Sequence, residues 1–479
     1  MLLTQFKGLK VGDSKNQLSV NFNNYPKIEH HVHAEGGTLT PQTLTFLANK
    51  NGLPVPDHLF APNNTIAYKD GDFIDFLRAY DNATDYILTF DDVYEVTYRY
   101  LKKCHEEGAI YVELMCSPDH GKRDRKKFEA SSSAFSDVAM TSVATTSRFG
   151  VLTYQDFVNA IAKAIDAAKM EFGIEARMLM VLLRHQYNIE GALDNTMQEI
   201  LGYLHPYVVG IHLAGDEFAF KPALFTTHFQ QAKAHGLKLA AHAGEHADGD
   251  SVVDAIHALA LDRIGHGVRA IESPKAMALI KERGIALELC PTSNLKLRLY
   301  ESIEQHPLPQ FLAQGVKFSI NSDDPGFFGR SLGQEHDLVQ KSFNLSDAQM
   351  LEITKNAILT SFCSPQLMQK LIAHHDLYCA YHALKQSLQP FSQNDVYACL
   401  EGYGQSLSHT TLQTLKESCE RTCSDSDNYA SLKKQVESLE NCHASYEQAC
   451  DLHEKALAQS IQAFEELQIA ATHKKVQLK

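Results

Sequence analysis

Short apolar runs alternate with longer stretches of three-to-four-residue periodicity between about residues 26 and 325. The strand-like runs are Ile28–His33, Ala109–Ser117, Ala176–His185, Val208–Ala214, Leu237–Ala243, Arg263–Gly267, Ile285–Cys290 and Val316–Asn321. Segments between them, such as Tyr154–Phe172 and Ser273–Arg283, set apolar residues on one face and charges on the other, as amphipathic helices do. Eight strands alternating with helices predict an α/β fold, a parallel (β/α)8 barrel of the TIM type. A doubly wound open sheet satisfies the same periodicity and stays open as the alternative, because periodicity does not reveal closure.

Two interruptions break the alternation. Residues 40–107 separate the first two strands and read as mostly helical, either a lid over the barrel mouth or an extra helical layer. Residues 121–150 are rich in Lys, Ser, Thr and Ala with weak periodicity, and read as a surface insert. Beyond about residue 385 the strand signals cease. Residues 408–479 contain neither Pro nor Gly. There Val436, Leu439, Tyr446, Cys450, Leu457, Phe464 and Leu467 follow a broken 4–3 spacing, with His443 and His453 at two other seam positions. This predicts a long helix or helical hairpin. The expected division is a barrel over 20–385 with a helical C-terminal extension over 386–479, through which the chain could self-associate.

Composition narrows the function classes. The chain has 479 residues, 44% hydrophobic and 21% charged, an ordinary globular balance. Its net charge of −14 disfavours a polyanion-binding surface, so no nucleic-acid partner is expected. No apolar run approaches the ~18 residues of a membrane span, and the first fifteen residues lack the apolar core of a secretory signal. Ten scattered cysteines fit a reduced, cytoplasmic protein. Cys419, Cys423, Cys442 and Cys450 cluster near the C-terminus, where buried thiols are weighed above a structural zinc site.

The chemistry lies at the C-terminal ends of the predicted strands, where barrel enzymes assemble their sites. The first strand ends His31-Val32-His33, and alternation turns both imidazoles to one face while His30 and Val32 face the other. The fifth ends His242-Ala243-Gly244-Glu245, the sixth Gly265-His266-Gly267, and the eighth is followed by Asp323-Asp324-Pro325. Four histidines and three carboxylates thus converge on one small volume. Three neutral imidazoles and one carboxylate suit Zn²⁺ with an open position for water, whose pKa such a metal lowers to roughly 7. No serine-hydrolase elbow or P-loop pattern is present.

In these residues the chain resembles the adenosine deaminase family of metal-dependent amidohydrolases. The matching stretches are Pro26–His33, Gly210–Glu217, His242–Glu245, Arg263–Gly267, Cys290–Asn294 and Asn321–Pro325, in family order over roughly residues 20–385. The resemblance implies one zinc ion per chain held by His31, His33, His242 and Asp323. His266 would orient and deprotonate the attacking water, and a protonated Glu245 would donate to purine N1. Gly215 would offer its backbone N–H to N3, Asp324 would face N7, and Glu35 would bind substrate. The implied reaction is hydrolytic deamination of adenosine and deoxyadenosine to the inosine nucleoside and ammonia, within purine salvage, on a small-molecule purine nucleoside.

Three positions depart from the family pattern. Glu35 stands where adenosine deaminases often carry Asp and adenine deaminases commonly carry Glu, so deamination of free adenine or an N6-substituted purine is the alternative. His212 replaces a usual Asp, and Met115 stands where many relatives have Arg. A non-enzymatic alternative is an inactive barrel that binds partners through its C-terminal helices. It is disfavoured because the expected ligand and catalytic residues are all present.

Overall fold

In a computed structural model of the chain the described residues are 20–121, 152–423 and 429–477. The insert at 121–150, apart from its first residue, and the segment read for a secretory signal lie outside them. Eight strands form one sheet: β1 (Lys27–His33), β2 (Ala109–Cys116), β3 (Glu175–Leu183), β4 (Val208–Ala214), β5 (Lys238–Ala243), β6 (Arg263–His266), β7 (Ala286–Leu289) and β8 (Phe318–Ile320). They pair in chain order, every neighbour parallel. A parallel bridge between Val32 and Asp323 brings the first strand back beside the last. His33 N–H donates to Asp323 O and Asp323 N–H to His31 O, each at 3.1 Å. The sheet curls into a barrel, and the open-sheet alternative is excluded. The seam runs through His31, His33 and Asp323, three of the expected metal ligands.

The crossover helices carry their own start and stop signals. Tyr154–Phe172 begins at Thr153, whose side chain accepts the Asp156 N–H in a capping box, and ends at Gly173 with φ +77°. Pro274–Arg283 begins at Ser273 and ends at Gly284. Each such N-cap contributes ~1 kcal/mol.

Met115, Leu179, Val181, Ala214 and Ala240 pack together with Phe362. Met115 thus fills an apolar layer, and the buried cation comes from β6 instead. Arg263 Nε donates to Glu288 Oε1 at 2.7 Å, its Nη2 pairs with Glu113, and Nη1 donates to Thr360 O at 3.0 Å. All three side chains of that ion triad are buried.

The segment between β1 and β2 is helical over Pro41–Asn51, Phe73–Thr84 and Phe90–Glu106. Its aromatics meet the loops that follow β5 and β8. The Phe73 ring lies 4.3 Å from His246, while Phe76 and Tyr80 stack on Phe328 and Phe327 at 5.3 Å. Phe73–Thr84 thus lies against the barrel mouth, whereas Phe90–Glu106 packs beside Tyr154–Phe172.

The chain forms two compact units, one of Asn24–Ile372 with Asp451–Lys479, the other of Ala373–Cys450 with the described residues before Asn24. In the second, His409–Cys423 and the start of Tyr429–Gln477 pair antiparallel. His409 meets Glu447 at 3.0 Å and Lys416 meets Glu440 at 2.9 Å. In the first unit Leu457 and Phe464 pack on the core, and buried His453 lies 3.0 Å from Glu175 Oε1. Leu467 is 68% exposed, so the predicted seam stops short of it. Among the described residues no helix is long and apolar enough to cross a membrane, and the groupings able to hold a metal include no cysteine.

Candidate active site

Strand alternation places the first two site residues as read. His31 and His33 share a face of β1, while His30 turns away and meets Ser361 Oγ at 2.9 Å. His31 Nδ1 lies 2.7 Å from Glu288 Oε2, which leaves Nε2 facing Asp323 Oδ1 at 3.4 Å. His242 Nδ1 lies 2.9 Å from His212 Nε2. His212 therefore backs a site imidazole, and a protonated His242 Nδ1 would leave Nε2 of that ring as a ligand. A carboxylate or imidazole behind a ligand histidine fixes both its tautomer and its orientation. Gly265 makes room for this, since a Cβ there would stand 2.9 Å from the His31 ring and 3.0 Å from His212 Nε2.

Among the described residues His31, His242, His266 and Asp323 form the largest grouping able to hold a metal, their ligand atoms all within 4.8 Å of one another. His33 stands at its rim, Nε2 lying 3.6 Å from Asp323 Oδ1. His266 and Asp323 both adopt left-handed backbone, with φ +54° and +60°. Such a conformation costs a non-glycine residue on the order of 1 kcal/mol, and here it turns both side chains into the site.

The donor set fits a divalent cation. His31 Nε2 and Asp323 Oδ1 are buried with no hydrogen-bond partner, which is costly unless something else binds them. Burial opposes charge on His31, yet Asp323 and Glu288 outweigh it and push its pKa up to about 10. Burial likewise works against ionised Asp323, but the surrounding imidazoles hold its carboxyl well below the usual range. The site thus calls for positive charge at its centre, which a metal would supply in place of a proton.

The remaining carboxylates behave differently. Burial, reinforced by Asp323 and Glu217, raises Glu245 well above the ordinary range, so it holds a proton. Its Oε1 lies 3.7 Å from His266 Nε2 and 3.5 Å from His246 Nε2. Asp324 is raised by burial and then by Asp323, Glu35 and Glu245. Glu35 is buried in the wall, Oε2 accepting from Tyr80 OH at 3.2 Å and Oε1 from Ser117 N–H at 3.3 Å. Gly36 must lack a Cβ, which would collide with Asp324 Oδ1. Gly215 directly follows β4, with φ +107°.

Several supporting residues escaped the sequence reading. Glu217 accepts the backbone N–H groups of Gly244 and Glu245 at 3.1 Å and of Ala247 at 3.2 Å, fixing the loop that carries Glu245. Arg184 donates to His242 O at 2.7 Å. Glu29 accepts from Ser322 N–H at 2.9 Å, holding the turn before Asp323. Glu217 and Glu29 lay inside matched stretches, but spacing alone gave them no role.

A model of the adenosine deaminase family matches residues 26–376. The adenine deaminase of Chelativorans sp. (strain BNC1) is 33% identical over 347 residues, 72% of this chain and 97% of that protein. The adenine deaminase of Schizosaccharomyces pombe is 32% identical over 356 residues, 73% of this chain and 89% of that one. Among solved structures, adenine deaminase from Arthrobacter aurescens matches with a TM-score of 0.62 at 25% identity, covering 73% of this chain and 98% of that chain. These relatives overturn the expectation of adenosine as substrate: the proteins matched over nearly their whole length are adenine deaminases. Glu35, a methylene longer than the Asp that the resemblance implies for an adenosine site, is the departure from pattern that pointed this way.

Proposed function

The chain belongs to the adenosine deaminase family of purine-deaminating amidohydrolases, and from that premise we propose that it hydrolyses free adenine to hypoxanthine and ammonia. The observation that carries the choice of free base is Glu35. Both its oxygens are engaged in the wall by Tyr80 and Ser117, and its charge lies near enough to Asp324 to help raise that group's pKa. The names of the two adenine deaminases at 32–33% identity support the same reading.

His31, His33, His242 and Asp323 would hold the metal, and zinc suits three imidazoles with a carboxylate. When bound, the metal supplies Lewis acidity that makes water nucleophilic near neutral pH. The rest falls to the chain. Glu245, buried and protonated, gives its proton to purine N1 and so makes C6 electrophilic. Gly215 presents its N–H to N3. Asp324, also held protonated, donates to N7. His266 turns Nε2 toward the space between Glu245 and Asp323, beside the attacking oxygen. A C6–O bond forms, the C6–N6 bond breaks, and the amine leaves as ammonia.

Zinc-loaded protein should release ammonia and hypoxanthine from adenine and stop after chelation. Hypoxanthine from neither adenine nor N6-methyladenine would sink the reading, whereas hypoxanthine and methylamine from N6-methyladenine alone would replace adenine as the substrate.

A further inference from the structure

The sequence reading makes His266 the base that deprotonates water. The hydrogen-bond chain behind it points elsewhere. Leu308 N–H donates to His306 Nδ1 at 3.2 Å. A backbone N–H can only donate, so His306 Nδ1 carries no proton. His306 is buried, which lowers its pKa to about 3 and keeps it neutral, so its single proton is on Nε2. That Nε2 lies 3.2 Å from Asn294 Oδ1, which accepts it. The amide orientation of Asn294 is thereby assigned by its network. Its Nδ2 then faces His266 Nδ1 at 3.3 Å and must donate there.

We infer that Asn294 and His306 are positioning residues that lock His266 in the tautomer with its proton on Nε2. Each link follows from the one unambiguous donor at Leu308. His266 Nε2–H then points at Glu245 Oε1, 3.7 Å away, and Asp323 Oδ2, 3.8 Å away, both acceptors. In this state the ring donates a hydrogen bond to the attacking oxygen instead of taking its proton. The opposite tautomer would turn Nδ1–H against the Asn294 amine. Inverting Asn294 to relieve that clash would set its amine against His306 Nε2–H, and inverting His306 in turn would set its Nδ1–H against Leu308 N–H. The proton lost by the water therefore passes to a group other than His266, and Glu245, left as a carboxylate once its proton is on N1, lies 3.7 Å from the same Nε2. No outside reactant is needed. Asn294 is buried on the short helix Pro291–Lys296, so its own backbone is fixed.

The consequence for rate rests on the proposed deamination, but the tautomer is readable without substrate. Zinc-loaded full-length protein labelled with ¹⁵N-histidine would be examined by two-bond ¹H–¹⁵N NMR, His266 being assigned from the signal lost in His266→Gln. The expected pattern is Nε2–H between pH 6 and 8. Asn294→Asp replaces the donor with an acceptor and should reverse the pattern to Nδ1–H. With adenine it should lower kcat at least ~100-fold, the scale of a lost transition-state donor, and leave KM within about threefold. His306→Gln still offers an amide N–H to Asn294 and should keep the native tautomer and most of the rate. An Nδ1–H pattern in the wild type overturns the inference whether or not Asn294→Asp folds. So does a folded Asn294→Asp that keeps Nε2–H, while a reversed tautomer with the rate retained overturns the consequence for catalysis. Absence of adenine turnover in a protein showing Nε2–H sinks the proposed reaction and leaves the lock standing.

Discussion

Glu217 accepts the backbone N–H of Glu245 at 3.1 Å, so one buried carboxylate fixes the peptide that carries another. Both oxygens are used, since Gly244 and Ala247 donate to the second. Glu217→Gln keeps the shape but turns one acceptor into an N–H that confronts backbone donors. We expect kcat for adenine to fall roughly 10-fold or more while bound zinc, measured by elemental analysis, stays stoichiometric. Loss of zinc in parallel with rate would show that Glu217 serves the metal site instead.

In the proposed reaction Glu245 must be protonated to donate to N1. Its pKa is raised by burial, so the active form persists at neutral pH and is lost as pH rises through that value. The pH profile of kcat should therefore fall on the alkaline side. Glu245→Gln should retain zinc and the fold yet lose turnover by about 10³-fold or more. A Gln variant with near wild-type kcat would remove Glu245 from the acid role.

His212 backs His242 through a 2.9 Å hydrogen bond. Removing such a partner typically weakens metal affinity about 10–100-fold. His212→Ala should show that loss in competition with a chromogenic chelator, and excess zinc should restore most of the rate. Unchanged affinity would mean that His212 only fills the barrel.

Arg263 ties Glu288 and Glu113 together inside the barrel. Replacing it with Met leaves two buried carboxylates without their cation, at a cost of about 3–5 kcal/mol. The sign of the pH dependence is also set. Glu288 lies below its ordinary pKa: burial opposes its charge, but Arg263 and His31 overcome it. Its contribution to stability is present above the unfolded value near ~4.3 and is lost as pH falls through the depressed one. In Arg263→Met burial instead raises that pKa, so the variant should be most destabilised near pH 7.5 and least near pH 5. Denaturant titrations at the two pH values check this, and an equal loss at both would contradict it.

These cases mark what the chain reveals before it is folded. The barrel was legible because alternating strands and amphipathic helices are local patterns. β4 appears with the bounds read for it, while β8 contracts to Phe318–Ile320 because the backbone turns off at Asn321 to reach the seam. His31 and His33 were legible because two residues on a strand share a face. Glu288, 257 positions from His31, and Glu113, 150 from Arg263, were not, since only closure of the barrel brings them together. His306 is invisible for another reason. It carries no motif, and its role arises from a backbone N–H two residues later and an amide on a different helix. The substrate was misread because the stretches shared across the family outweighed the single departure at Glu35.

The most direct test of the account is kcat/KM for adenine against adenosine on one zinc-loaded preparation. A site closed at Glu35 should favour adenine by at least ~100-fold, which corresponds to about 2.7 kcal/mol of discrimination. Equal or faster deamination of adenosine would contradict the assignment of the free base as substrate.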